Sequence, residues 1–126
     1  GVINLSMLGH DSRIGDKDQK MNNMNLYAGP DEAFANTLIK SGKENYSNVT
    51  FTLSQSTEAS KLPMDSNFFR EAGVPAVTFS QNREGDLNPR YMTSNDFIET
   101  LNINTYTNVF KALASSVLAW NYGVVK

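Results

Sequence analysis

The residue types that carry chemistry are few in this chain, and they gather in two places. There is one histidine, His10, and it is followed directly by Asp11. The stretch "GHDSRIGDKDQK" adds carboxylates at Asp16 and Asp18. Such a run invites a calcium loop, but it lacks the EF-hand spacing and no glutamate closes a twelve-residue loop. It reads as a solvated loop. The second place is "NPRYMTSNDFIETLN", residues 88–102, where Tyr91, Met92 and Asp96 share a polar loop. A phenol and a carboxylate there suit hydrogen bonding to a reacting or bound polar group, whereas the thioether of Met92 does not. With no cysteine there is neither a disulfide framework nor a thiolate metal site. One histidine is few for a zinc enzyme, which draws most of its ligands from His and carboxylates.

The elements that must position these residues alternate along the chain. "VINLSML" (2–8) is a short apolar run and reads as a buried strand. "MNLYAG" (24–29) reads as a second strand. "PDEAFANTLIKSG" (30–42) predicts a helix, with Pro30 in the first turn, Asp31 and Glu32 at the positive end, and Gly42 as the stop. "NVTFTLSQ" (48–55) alternates Val49, Phe51 and Leu53 with polar residues, the pattern of a strand with one buried face. "DSNFFREAG" (65–73) predicts a short helix capped by Asp65 or Ser66. "VPAVTFS" (74–80) is a nearly all-apolar and therefore central strand. A turn at 94–102, capped by Asp96, leads into a final helix, 103–123. Ile103, Tyr106, Phe110, Leu113, Val117 and Trp120 form its expected core stripe.

This order implies an α/β fold, a mixed, mostly parallel sheet flanked by helices, in a single domain spanning 1–126. Ligand sites in such folds lie at the carboxyl ends of strands. Those ends fall at 7–11, after Leu53, and in the loop 81–94. The chain has 126 residues, 40% hydrophobic and 19% charged, which suits a globular core rather than disorder. Its net charge of -2 lacks the basic footprint of a nucleic-acid binder. No stretch approaches the roughly 20 apolar residues of a membrane span. The start, "GVINLSMLGHD", has no basic leader and reads as the opening of a core strand, so a longer parent chain is expected. Three N-x-S/T sequons, at Asn4, Asn45 and Asn48, are weak signals of secretion.

Three segments resemble, in order and spacing, the co-catalytic zinc aminopeptidase family, which includes bacterial leucyl aminopeptidases, glutamate carboxypeptidase II and the non-peptidase transferrin receptor. "VINLSMLG" is similar to the family's "vvNLDMiG" strand. "MDSNFFREAGVPAVTF" is similar to "SDHypFyeaGIPAv.f", and "RYMTSNDFIETLN" to "yHtp.Dt.enld". The resemblance covers nearly the whole chain and implies the C-terminal part of a phosphorylase/hydrolase-like catalytic domain. Family members hold two zinc ions about 3.5–4 Å apart that activate water and clamp the oxyanion. Two zinc ligands belong in this half, and their positions carry Ser6 and Met92. A neutral hydroxyl and a soft thioether are both poor zinc ligands. Tyr91 falls on a tyrosine that stabilises the tetrahedral intermediate. Asp65 and Asp96 match two family aspartates, although the histidine that follows the first is replaced by Ser66.

The resemblance therefore implies a non-catalytic, aminopeptidase-like pseudoenzyme serving binding or scaffolding, with no metal in this segment and a protein or peptide partner at the vacated cleft. Met92 is expected to fill that cleft with apolar bulk. The alternative is part of an active zinc metallopeptidase, a hydrolase whose remaining ligands and general base lie upstream. His10 or Asp11 would then be substitute ligands only if a tight turn brought them back to Ser6. Family members are mostly extracellular, periplasmic or on the cell surface, and the same setting is expected here.

Overall fold

A computed structural model describes residues 1–10, 23–46, 48–54, 64–83 and 85–123. Four strands and three helices follow one another as β1 (Val2–Leu5), β2 (Asn23–Tyr27), α1 (Glu32–Asn45), β3 (Thr50–Ser54), α2 (Asp65–Glu71), β4 (Ala76–Ser80) and α3 (Ile103–Asn121). A 3-10 turn, Ile98–Thr100, precedes α3. The candidate calcium run, including Asp11, Asp16 and Asp18, lies outside the described residues.

The fold is α/β. The strands form one mixed sheet in the order β1-β4-β2-β3. β1 runs parallel to β4 and β2 parallel to β3, while the central pair, β2 and β4, is antiparallel. Side chains alternate across each strand, so the register divides the sheet into two faces. Ile3, Val77, Phe79, Met24, Leu26, Phe51 and Leu53 share the apolar face and pack with residues of α1 and α3. Asn4, Thr78, Ser80, Asn25 and Tyr27 occupy the opposite face. That face is polar yet shielded, since Thr78 and Ser80 are fully buried.

α2 covers one end of the polar face. Buried Ser66 shares a 2.7 Å hydrogen bond with Thr78 Oγ1. Arg70 donates to the carbonyls of Ala28 and Ala76, each at 3.0 Å. Neither Asp65 nor Ser66 caps this helix. Met64 holds the N-cap position, and Ser66 is drawn inward to the sheet instead. Asp31 is diverted in a similar way. Its carboxylate accepts the Ala76 N–H at 3.0 Å and makes no capping bond to α1.

The two long helices depart from the sequence reading at their contact. Gly42 does not end α1, which continues to Asn45; it lies buried within the helix. A Cβ there would come within 2.5 Å of Ser116 Oγ and 2.6 Å of the Phe51 ring. Gly42 is therefore a point of close approach between α1, α3 and the sheet. The buried stripe of α3 is correspondingly small: Thr105, Val109, Ala112, Leu113 and Ser116. Ile103, Tyr106 and Phe110, expected in the core, are exposed. Of the expected stripe, Leu113 and Val117 do reach the core, while close packing on Gly42 favours the smaller residues beside them. Trp120 is exposed as well, with its ring centroid 5.3 Å from that of Phe34.

Candidate functional site

β1 and β4 are parallel neighbours, so their carboxyl ends emerge side by side, and the loops that follow build the candidate site. β1 stops at Leu5 because the chain turns sharply at Met7, a non-glycine residue with φ of 54°. The Ser6 N–H still bonds the Phe79 carbonyl at 3.0 Å, which holds Ser6 beside the end of β4. The Gln81 N–H bonds the Met7 carbonyl at 3.2 Å and continues the zipper past both strands. After β4 the chain crosses above the polar face. The Tyr27 hydroxyl pins it there by accepting the Arg83 N–H at 3.0 Å.

Arg83 is the residue that sequence reasoning missed. Its side chain is buried, with 7% exposure. One guanidinium nitrogen points to Ser6 Oγ at 3.5 Å and to Met7 Sδ at 3.0 Å. The other two, Nε and Nη1, are buried without an acceptor among the described residues. A charged arginine in the polar loop "QNREGDLNPR" gives no sequence signal of burial, because the anchor on Tyr27 is 56 residues away.

Met7, whose Sδ meets the Arg83 guanidinium, also lines a cavity of about 100 Å³. It is lined by Met7, Leu8, Gln81, Asn88, Tyr91, Asp96 and Leu101. Tyr91 and Asp96 therefore meet at one pocket, together with the residue that follows Ser6. Asn88 organises its far wall, donating to Asp96 Oδ1 at 3.4 Å and to Thr100 Oγ1 at 3.1 Å. Asp96 does not cap the next turn: Phe97 takes the N-cap position, without a side-chain bond.

Met92 does not fill the site. It is 83% exposed and adopts a φ of 57°, so the turn after Tyr91 carries its side chain into solvent. Asp65 is exposed at the first turn of α2 and lies outside this pocket. His10 sits apart from Ser6 in its contacts. Its Nε2 is 3.5 Å from Asp86 Oδ1 and its Nδ1 3.5 Å from the Thr100 carbonyl. Asp11 lies outside the described residues.

No cluster of three or more His, Cys, Asp or Glu side chains able to hold a metal occurs among the described residues. No helix among them is long and apolar enough to cross a membrane. No family model, curated protein or solved structure matches the chain.

Proposed function

We propose that this chain is a non-catalytic domain on a zinc-aminopeptidase-like frame, serving binding or scaffolding for a protein or peptide partner in an extracellular or cell-surface setting. The observation that carries the reading is Arg83 beside Ser6. The resemblance puts a zinc ligand at Ser6, and there a fixed guanidinium stands 3.5 Å from the hydroxyl. A dication about 5 Å from that charge would be repelled by about 7 kcal/mol at an effective dielectric constant of about 20. A serine hydroxyl offers little in return. At the other expected ligand position, Met92 turns to solvent. The residues present do not fit a zinc ion, so no hydrolytic step is derived through one.

The alternative, a zinc peptidase completed by ligands from upstream, draws support from Tyr91 lining the same cavity as Met7. Zinc stoichiometry separates the two. The full-length protein, purified without chelators, is dialysed against micromolar zinc and its metal content measured by mass spectrometry. Retention of one or two zinc ions per chain, with metal-dependent release of N-terminal residues from peptides, would sink the scaffold reading. Near-zero zinc and no turnover is the expected result.

A further inference from the structure

The polar face of the sheet ends in a set of donors for which the described residues provide no acceptor. Arg83 is more than nine-tenths buried, and two of its three guanidinium nitrogens have no partner. The guanidinium stays charged at any ordinary pH. An unpaired buried charge is strongly unfavourable, so such a group calls for a counter-anion. Ser80 Oγ is also buried and without a partner. It lies one strand over from Ser6, about 5 Å across the ladder. The alternation that puts Asn4 and Thr78 on the polar face puts Ser6 and Ser80 there too. Among the described residues, two guanidinium nitrogens and a hydroxyl without partners occur at this end of the polar face, a donor set complementary to an acceptor-rich group of single negative charge.

The geometry points to a carboxylate-binding site at Arg83, with Ser80 as second donor and Met7 as its movable wall. A carboxylate suits this set. It carries one charge, against one guanidinium, and offers about four acceptor positions. The way in is the 100 Å³ cavity. That volume is well below the ~300 Å³ of ordinary ligand pockets and admits a head group rather than a whole ligand. Met7 lines the cavity and contacts the guanidinium through its thioether, an unbranched and adaptable side chain able to swing aside. Asp96, the acid on the cavity wall, is solvent-exposed, so water and salt screen its repulsion far more than they screen the buried arginine. The inference goes beyond the scaffold reading and does not depend on it: a protein that binds zinc elsewhere would still carry this site, and zinc stoichiometry tests that reading separately.

The test titrates the purified protein with sodium acetate, sodium chloride and sodium phosphate at constant ionic strength. Thermal unfolding and the ¹⁵N shift of the Arg83 Nε–H are followed together. Acetate is expected to raise the melting temperature saturably by several degrees and to move the Nε–H resonance, while Arg83→Gln removes both responses. Two N-acetylated tripeptides, one with a free C-terminus and one amidated, locate the source of the carboxylate. Binding of the free form alone identifies a peptide C-terminus, and acetate binding without tripeptide binding identifies a small free carboxylate; either supports the site. An acetate response no larger than that of chloride or phosphate, or one that persists in Arg83→Gln, overturns it.

Discussion

Replacing Ser6 by aspartate restores the residue that the aminopeptidase resemblance expects, yet the structure predicts an outcome unrelated to zinc. The new carboxylate would extend about one bond beyond the present Oγ, which already lies 3.5 Å from the Arg83 guanidinium. A direct ion pair follows. At about 3.5 Å and an effective dielectric constant of about 20, the attraction is about 5 kcal/mol. The arginine is already buried in the parent protein, so only the carboxylate's desolvation, several kcal/mol, opposes it. The net expectation is stabilisation of about 2 kcal/mol, or roughly 8 °C for a chain of this size. The sign with pH is fixed as well. The guanidinium holds the introduced carboxyl below its unfolded value. The gain is thus complete above about pH 5 and disappears as the pH falls through the folded-state pKa. Urea unfolding of Ser6→Asp, Arg83→Met and the double variant gives the coupling. In the Arg83→Met background the aspartate should destabilise, as a half-buried acid without its guanidinium partner. A coupling near zero, or an aspartate that destabilises with Arg83 present, would refute the placement of a lone buried charge beside Ser6. Zinc retention by Ser6→Asp, with Arg83 intact, would refute the electrostatic exclusion of a dication.

Two further predictions concern the frame that carries the site. Gly42→Ala gains about 1 kcal/mol of helix propensity, but its Cβ meets Ser116 Oγ and Phe51 at 2.5 and 2.6 Å. Overpacking of about 1–3 kcal/mol should win, lowering the urea midpoint, and Ser116→Ala should partly relieve it; a raised midpoint would mean that α1 and α3 are further apart than described. The Asn102 side chain caps α3 by accepting from the Asn104 and Thr105 N–H groups. Asn102→Ala should cost about 1 kcal/mol while Asn102→Asp retains most of the stability, and equal losses in the two would deny the cap.

The elements of the fold were legible because each is short and punctuated. In "NVTFTLSQ" the alternation sends Phe51 and Leu53 to the core and leaves Thr52 exposed, as the pattern requires. The glycine in "REAGVPAV" marks the turn from α2 into β4, at a φ of 77° that favours glycine. A residue whose role depends on a partner far along the chain is not legible in this way. Gly42 looked like a stop signal, and only Ser116, on a helix more than seventy positions away, makes it a packing residue. In α3 the bulky Ile103, Tyr106 and Phe110 face solvent while Thr105, Ala112 and Ser116 are buried beside Leu113, so periodicity identifies only part of the buried side.

The site follows the same logic one step further. "VINLSML" reads as a continuous apolar run, which hides the fact that Asn4 and Ser6 alternate onto a polar face with Thr78 and Ser80. That face becomes visible only when β4 is placed beside β1, because each strand alone contributes too few polar residues to be noticed. Arg83 then acquires meaning from three tertiary facts: the Tyr27 hydroxyl that holds its backbone, the turn at Met7 that brings a thioether and a hydroxyl under its head group, and the lack of an acceptor for Nε and Nη1 among the described residues. A net charge of -2 says nothing of this, since it averages over a surface where carboxylates are solvated. Asp96 on the cavity wall is exposed, whereas the ends of β1 and β4 hold buried donors without acceptors among the described residues, Arg83 Nε and Nη1 and Ser80 Oγ. At the proposed site, charge rather than shape does the selecting, because the unpartnered guanidinium nitrogens are what a ligand there would satisfy.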